Sequence, residues 1–556
     1  MTILNHLKKG NHPFKYIFLA IVLLGSSCIK KKEIDLIIHN GIIHTIDDRN
    51  STHEAIAIND GKIIAIGKNN QILNKYKGKE ILDIKGEIVY PGFIDSHCHF
   101  LEYGLQTNMI DLSSATSFED ILETLQEKNL ENNEEWVIGY GWDQNQWKDK
   151  NWPNNKLLNK FFPETNVILK RVDGHAVMAN QSAIKSSNIP LDTIVRGGYI
   201  EKINGEITGL FIDNAMDLIL NEIPLPNEEA KKKALLEAQK DCFSLGLTTV
   251  DIAGLLKKDI ELIEKLHATK ELKIKIYGML SDNDENFNYF IDSIGSPIKT
   301  GKLNVRSFKF FADGSLGSRG ACLLKPYSDK TSSNGFLIQE MKTFEEKLMK
   351  LKSFGFQACT HAIGDSTNRM VLKSYAKTLK NSNDLRWRVE HAQCVSQNDL
   401  HYFRDFNIIP SVQPTHATSD FNWAIFRLGK KRLSNCYQYH SLYLANQIIS
   451  LGTDFPVEKI NPLNTFYAAV FRKNHKGLPI GGFQPYEALT RTQTIKGMTI
   501  WGALSNFEEN EKGSLEVGKS ADIVILNKDL FTVNEDDYSS IKVTKTIVDG
   551  ELVYSY

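Results

Sequence analysis

Two features that would point to particular classes of protein are missing from this sequence. The 66 lysines and arginines nearly balance the 67 aspartates and glutamates, which leaves a net charge of −1, and there is no long basic stripe of the kind that neutralises phosphates. Nucleic acid is therefore not expected as a partner. Only 7 cysteines occur in 556 residues, and none are spaced as Cys-x-x-Cys. Neither a disulfide framework nor a thiolate zinc site is predicted, and most of the cysteines are expected to be buried thiols.

Internal repeats, low-complexity tracts and flexible linkers are absent after the N-terminal segment. With 42% hydrophobic and 24% charged residues, the composition is that of a compact globular protein, and it excludes a disordered or fibrous chain.

The N-terminus differs in pattern from the rest of the chain. Three lysines precede an apolar run over residues 16–24, and small residues then lead directly into Cys28. This order predicts a signal peptide over residues 1–28, since the run is shorter than a membrane-spanning helix. Small residues before a cysteine are typical of a bacterial lipobox, so Cys28 is the predicted lipidation site. An ordinary signal peptide or a short membrane anchor are the alternatives. We expect an exported lipoprotein that is attached to a membrane through its lipid anchor. Whether the protein forms a homodimer is left open by the sequence.

Both ends of the chain carry short β-prone segments. Residues 34–67 contain Asn-Gly and Asp-Gly turns between apolar runs, the strongest short hairpin signal. Residues 521–526 and 543–550 are likewise short apolar, β-prone runs, and the second ends in Asp-Gly. We expect the two ends, about 33–90 and 510–556, to form one small composite β-sandwich domain.

Between the two ends, apolar β-prone runs alternate with helical stretches, which predicts an α/β fold with a parallel sheet. The candidate strands lie near 88–95, 246–252, 273–280, 305–311, 356–361, 386–391, 407–412 and 448–453. Eight strands fit a closed (β/α)8 TIM-like barrel, here over residues 91–509. The first gap is much longer than the others, so an insertion of about 100–235 is expected after the first strand, overhanging the site.

The sharpest chemical signal is a His-x-His pair, His97 and His99, at the end of the first candidate strand. Because side chains alternate along a strand, both imidazoles project to the same side and can converge on one metal ion. Further polar residues end later strands, namely His361, His391 and Asp454. Taken alone, His361 or His391 is better explained as a hydrogen-bonded core histidine. The carboxyl ends of barrel strands share one mouth, however, so the joint placement favours a metal site.

A fifth polar residue, Lys309, lies in the fourth candidate strand. Alternation directs its side chain into the barrel if that face is the inner one, where an ammonium is costly unless it is neutralised or paired. The alternative is a lysine that extends to solvent at the strand end.

Several longer motifs accompany these residues. They are PGFIDSHCH at 91–99, GYGWD at 139–143, DGH at 173–175, FADGSLGS at 311–318 and GSLEVGKSAD at 513–522, with the segments around His361, His391 and Asp454. On these motifs, residues 33–556 resemble the amidohydrolase superfamily, in the amidohydrolase family 3 branch that includes N-substituted formamide deformylase-like enzymes.

The resemblance implies a set of metal ligands, namely His97, His99, His361 and His391, with Asp454 as the carboxylate of the last strand. It also implies that Lys309 is carboxylated to N6-carboxylysine and bridges two metals. The expected cofactor is one or two divalent ions, Zn²⁺ first, although Fe, Mn or Ni also suit imidazole and carboxylate. Related chains often read Val-His-Asp-Ala-Gly near the second strand, and here 250–254 reads VDIAG, which leaves a second-strand contribution to substrate binding open.

The expected activity is metal-dependent hydrolysis of a non-peptide, amide-type carbon–nitrogen bond in a small molecule, with Asp454 as general base and then acid. The alternatives are a deaminase or metal-assisted isomerase on the same scaffold, or a non-catalytic surface lipoprotein that binds solute. The candidates for substrate contact, each of which could equally be structural, are Trp142, Asp143, His175, Asp313 and Arg319.

Overall fold

A computed structural model describes residues 31–106, 109–132 and 136–556. The predicted signal peptide and the lipidation site at Cys28 lie outside the described residues. Within the part of the chain that is described, no helix has the length and apolar character needed to cross a membrane.

The centre of the molecule is a ring of eight parallel strands. In chain order they are β1 (Phe93–Cys98), β2 (Leu247–Leu255), β3 (Lys275–Ser281), β4 (Leu303–Phe311), β5 (Gln357–Ala362), β6 (Arg388–His391), β7 (Ile409–Val412) and β8 (Ser450–Leu451). Each strand pairs with the next in sequence order. The ring is nearly closed between β8 and β1, where the Asp454 N–H donates to the His97 carbonyl at 2.8 Å. The predicted α/β barrel is confirmed.

All eight predicted segments overlap a barrel strand, but the first one merges two elements. Its first half, Ile88–Pro91, belongs to another sheet, and β1 begins only at Phe93. Gly92 joins them at a point where an added Cβ would lie 2.3 Å from Thr248 Oγ1. Since both halves are buried, no change in hydrophobic pattern marks the passage from one sheet to the other.

Helices connect the barrel strands. The helices that follow β2 to β8 are Lys257–Ala268, Asp284–Asn286 continued by Phe287–Ile294, Met341–Phe354, Asp365–Leu379, His401–Asp405, the group Pro414–Ser419, Ala424–Leu433 and Tyr439–Asn446, and finally Pro462–Phe471, Arg491–Gly497 and Ile500–Ser505. The helix Met341–Phe354 illustrates why they form. Phe344, Leu348 and Leu351 recur on one face and are buried, and Gly355 ends the helix at a φ of +73° that favours glycine.

A second sheet lies in the chain between β1 and β2. Its strands, in spatial order, are Gly198–Ile203, Glu206–Asp213, Ala176–Ala179, Asn166–Arg171, Trp136–Trp142 and Ile110–Asp111. Apolar clusters cover it, and the helices of this region are Phe100–Gln106, Phe118–Asn132, Lys156–Phe161, Gln181–Ser186, Asp217–Leu220 and Glu228–Ser244. The limits given above for the insertion, about 100–235, stay a prediction.

Strands from both ends of the chain pair with each other. One sheet has the order Glu551–Ser555, Val543–Val548, Ile523–Leu526, Ile88–Pro91, Ile42–His44 and Thr52–His53, and a second has the order Lys62–Gly67, Ala55–Asn59, Lys32–His39 and Tyr76–Asp83. Side chains of both sheets, among them Ile38, Ile56, Val89 and Ile523, share one apolar cluster. The domain limits 33–90 and 510–556 stay predictions.

The cysteines differ from expectation at one pair. Cys394 and Cys436 form a disulfide, whereas Cys98, Cys242 and Cys359 are buried thiols and Cys322 is half-buried. The two partners are 42 residues apart in sequence. They meet because the loop after β6 runs beside the segment that precedes the helix Tyr439–Asn446. Such a contact has no local sequence signal.

Candidate metal centre

Polar side chains meet at the carboxyl ends of β1 and β8. His97 Nε2 and His99 Nε2 lie 3.5 and 3.4 Å from the same carboxylate oxygen, Asp454 Oδ1. The loop that carries Asp454 is fixed from below, because Asp95 accepts hydrogen bonds from the Thr453 backbone N–H at 3.0 Å and hydroxyl at 2.6 Å. The strand end and the following loop thus hold three potential ligands around one point.

Two further imidazoles from β5 and β6 complete the cluster. The His391 ring centroid lies 4.9 Å from that of His97 and 4.6 Å from that of His361. His361 Nε2 is buried without a hydrogen-bond partner among the described residues. An unpartnered polar atom in a buried site is costly, and a bound cation would satisfy it.

Lys309, on β4, lies inside the barrel. Its side chain is fully buried, with Nζ 3.1 Å from His97 Nε2 and 4.6 Å from the centroid of the Phe311 ring. The side chain therefore does not reach solvent, contrary to the alternative considered above. Burial lowers the pKa of the Lys309 amine, which favours its neutral form.

The imidazoles are held in the form that binds a metal. His97 Nδ1–H donates to Glu390 at 2.5 Å, and His391 Nδ1–H donates to Gln413 at 2.7 Å, so Nε2 of each ring is unprotonated and faces the cluster, where Lys309 Nζ lies 3.1 Å from His97 Nε2. Burial, followed by the proximity of Lys309, lowers the pKa of His97 to about 4. Burial likewise holds the pKa of His361 and of His391 well below the usual range. Neutral imidazoles are the form required of metal ligands.

Glu390 is itself fixed by a buried arginine. Arg388 pairs with it at 2.7 Å and with Asp251 on β2 at 2.9 Å. Although burial opposes ionisation, Arg388 and His97 hold the pKa of Glu390 well below its usual range. Asp251 thus lies inside the barrel as a partner of Arg388, where Asn506 also donates to it at 2.6 Å. Asp251 of β2 thus supports the cluster from within the barrel, through Arg388 and Glu390 to His97.

We expect Glu390→Gln to weaken metal binding about 10- to 100-fold, the usual loss when the outer partner of a ligand histidine is removed. Glutamine keeps the size of the side chain but not the charge that orients His97. Competition with a chelating dye measures the affinity, and Glu346→Gln, on an exposed part of the helix Met341–Phe354, serves as the control. Equal affinity in both variants would contradict this role of Glu390.

Asp454 is the common member of two groups of potential ligands. In each group, His97–His99–Asp454 and His391–His416–Asp454, the ligand atoms lie within 4.8 Å of one another. Burial opposes ionisation of Asp454, but hydrogen bonds from His416 and His99 hold the pKa of that carboxyl well below its usual range. It is therefore charged at neutral pH.

His416 was not predicted from the sequence. It lies in the helix Pro414–Ser419 directly after β7, with Nε2 3.2 Å from Asp454 Oδ2 and Nδ1 3.3 Å from Glu458. The available signal was its position just beyond the seventh candidate strand, since polar residues at such strand ends face the common mouth.

Three of the residues named as candidates for substrate contact make contacts within the protein, and their contact with substrate stays a prediction. Trp142 is 1% exposed, packs in an apolar cluster on the sheet between β1 and β2 and donates its indole N–H to the Leu169 carbonyl at 3.0 Å. Asp143 pairs with buried Arg171, and Arg319 pairs with Asp329 at 3.0 Å. Each of these side chains is engaged by the protein itself.

Asp313 is also structural in its contacts. It is fully buried and accepts the backbone N–H groups of Cys322, Ile363 and Gly364 at 2.9 to 3.0 Å, and burial raises its pKa to about 7. It thereby shapes the loop after β5. Of the five candidates, two lie at the cluster: the His175 ring centroid is 5.2 Å from that of His361, and Asp313 Oδ1 is 3.6 Å from His361 Nε2.

The chemistry of this donor set fits a divalent cation. The residues that would hold it are imidazoles and one carboxylate, together with the Lys309 amine, and no thiol among the described residues takes part. Nitrogen and oxygen ligands of this kind bind divalent first-row metals.

Comparisons with known proteins agree with this geometry. The model of the amidohydrolase family matches residues 80–554. The protein YtcJ of Bacillus subtilis (strain 168) is 30% identical over 526 residues, which cover 93% of this chain and 98% of that protein. N-substituted formamide deformylase of Arthrobacter pascens is 25% identical over 543 residues, which cover 94% and 98%.

Among solved structures, an uncharacterized metal-dependent hydrolase of Pyrococcus horikoshii OT3 superposes with a TM-score of 0.74 at 27% identity, covering 90% of this chain and 99% of that one. The match of the family model extends over most of the chain, and a relative is similar along nearly its whole length. The chain belongs to the amidohydrolase family and is a metal-dependent hydrolase.

Proposed function

We propose that this enzyme hydrolyses a non-peptide, amide-type carbon–nitrogen bond in a small molecule. The observation that carries the proposal is the single carboxylate oxygen of Asp454 that lies within 3.5 Å of both His97 Nε2 and His99 Nε2. A carboxylate at a cluster of neutral imidazoles can both help to hold a cation and exchange a proton with water beside it.

The proposed cofactor is Zn²⁺, held by His97, His99, His361, His391 and Asp454. When bound, such a cation supplies a Lewis acid and lowers the pKa of a coordinated water from 15.7 to about 7. One or two ions fit the proposal, and the count depends on Lys309.

In this proposal, Asp454 carries the proton transfers. Its carboxylate is ionised at neutral pH and accepts a proton as water adds to the amide carbon. The same carboxyl then returns that proton to the leaving nitrogen, so that an acid and an amine are released. His416 donates a hydrogen bond to Asp454 Oδ2, which leaves Oδ1 facing the imidazoles for this exchange.

We propose further that Lys309 is carboxylated. Its amine attacks CO₂, a carbon–nitrogen bond forms and one proton is released, which leaves an anionic carbamate. The reaction requires the neutral amine that burial favours, and the anion would be balanced by cations at the imidazole cluster.

We expect Lys309→Ala to lose one metal of a pair, together with most of the activity, because a bridging anion is removed. Metal analysis by inductively coupled plasma mass spectrometry measures the first effect. Added short carboxylic acids are expected to restore part of the metal content and part of the activity, because they can occupy the space left by the Lys309 side chain. Full metal content and full rate in Lys309→Ala would overturn the carbamate.

The proposed function is tested by metal analysis of the purified protein coupled to a screen of N-acyl, N-formyl, cyclic amide and aminopurine-like compounds. Release of an acid and an amine from an amide, dependent on metal, supports the proposal. If the enzyme releases ammonia from an aminopurine and hydrolyses none of the amides, it is a deaminase and the proposal is wrong.

We also propose that the enzyme is exported and held at a membrane through lipidated Cys28. The disulfide between Cys394 and Cys436 supports export, because disulfides persist in oxidising compartments. We expect Cys28→Ala to shift the enzyme from the membrane to the soluble fraction of cells, because its lipid anchor is lost. Fractionation measures this, with Cys322→Ala as control. Unchanged membrane association would contradict lipidation.

A further inference from the structure

The insertion brings a histidine and an aspartate together at the edge of the metal centre. The strands Ala176–Ala179 and Glu206–Asp213 are antiparallel, and Ala176 pairs with Ile212. His175, just before the first strand, therefore lies beside Asp213 at the end of the second. The Asp213 N–H donates to the His175 carbonyl at 3.2 Å, and His175 Nδ1 lies 2.6 Å from Asp213 Oδ1.

Asp213 is seated in the loop that follows β4. It is 5% exposed, and its second oxygen, Oδ2, is buried without a hydrogen-bond partner among the described residues. Gly314 and Gly320 leave the space that the Asp213 carboxylate occupies, because a Cβ added to either would lie 2.3 Å from Oδ2. The backbone of Asp213 has a φ of +50°, a value uncommon for residues other than glycine. Because Asp213 Oδ2 is buried and unpaired, the carboxylate depends on its other oxygen for stabilisation. His175 supplies that contact at Oδ1.

A second contact holds the same turn of the insertion. Ser315 donates its hydroxyl to Asp173 at 2.5 Å, and Asp173 pairs with buried Arg171. The turn 173–175 is thus attached to the loop after β4 on both sides of Gly174. His175 is thereby placed with its ring 5.2 Å from that of His361, and its side chain is 15% exposed.

We propose that His175 contacts the reacting amide of the substrate and that Asp213 is its positioning residue. Asp213 engages Nδ1, and none of the described residues hydrogen-bonds Nε2, which is therefore the nitrogen available to the substrate. The inference rests on the proposed function, since it assigns a contact at the same site. It also explains why the DGH and FADGSLGS motifs occur together: one carries the imidazole and the other makes room for the carboxylate that orients it.

The test uses the zinc-loaded, full-length protein and whichever screened compound it converts. We expect His175→Ala to keep wild-type zinc content while kcat falls about 10²- to 10³-fold, as when one preorganised polar contact to the reacting group is removed. Free imidazole is expected to restore part of kcat in His175→Ala. In the double variant His175→Ala/Asp213→Asn, the same imidazole concentration should restore less, because nothing orients the added ring.

Asp217→Asn, at an exposed position of the insertion, is the matched control and should leave both zinc content and kcat unchanged. Loss of zinc in His175→Ala would make His175 a metal ligand and overturn the proposal. Equal rescue in the single and double variants would overturn the role of Asp213.

A measurement without substrate separates this inference from the proposed function. In ¹⁵N-histidine spectra of the zinc-loaded protein, His175 should carry a proton on Nδ1, and Asp213→Asn should alter that signal. If the wild type converts none of the screened amides, the proposed function fails. The spectra still show whether His175 Nδ1 is hydrogen-bonded to Asp213. An unprotonated Nδ1 in the wild type would overturn the pairing of His175 with Asp213.

Discussion

Replacing Asp454 with asparagine is expected to lower kcat by about 10²- to 10⁴-fold, the usual range for loss of a general acid–base group. Asparagine has nearly the same shape, so the fold should survive and His416 should retain an oxygen acceptor at this position. It cannot accept the proton that the proposed reaction removes from water. Steady-state kinetics on the substrate found by the screen, with parallel zinc analysis, measures the effect.

The appropriate control for Asp454→Asn is Asp405→Asn, an exposed position at the end of the helix His401–Asp405, which should keep the wild-type rate. A metallated Asp454→Asn protein that retains a third of wild-type turnover would refute the role of Asp454 in proton transfer. The search for the base would then move to His175 or Asp313, which both lie at the cluster.

The second large effect is expected from the ligands themselves. His97→Ala should abolish both zinc binding and activity, since His97 lies within reach of Lys309, His391 and Asp454 at the centre of the cluster. The loss of zinc affinity in His97→Ala should exceed the roughly 10- to 100-fold weakening that is typical when an outer partner such as Glu390 is removed. Zinc analysis after gel filtration measures it.

His401→Ala, at an exposed histidine outside the cluster, should leave zinc content and rate unchanged. Retention of stoichiometric zinc and of wild-type rate by His97→Ala would contradict the assignment of the centre. Thermal unfolding with and without a chelator shows whether a loss of zinc reflects the missing ligand or a damaged fold.

The barrel could be predicted from the sequence because its strands are β-prone runs that alternate along the chain with helical stretches. The pattern failed at Gly92, where the chain passes from one sheet to another without becoming exposed. It also failed for the Cys394–Cys436 disulfide, which depends on two loops that meet only in the folded protein. Local periodicity carries information about which residues are buried, but not about which buried segment lies beside which.

The same distinction explains the outcome at the candidate site. His97, His361 and His391 end strands, so their convergence follows from barrel topology alone. His416 follows β7 within a short helix and joins the cluster only through the direction of that helix. Trp142 is a different case, because it was named as a candidate for substrate contact yet packs in the apolar cluster on the sheet between β1 and β2. The orientation of side chains in loops and insertions depends on tertiary packing, which the sequence pattern does not report.

The pairing of Ile88–Pro91 with Ile523–Leu526 has a consequence for synthesis of the chain. The two strands are separated by about 430 residues, so at roughly 5 to 20 residues per second the first waits some 20 to 90 s for its partner. Throughout that interval an apolar strand edge of the nascent chain is open, and such edges are prone to wrong pairing. A prematurely terminated chain would keep this edge open permanently, which would distinguish it from the finished enzyme for cellular proteases and chaperones.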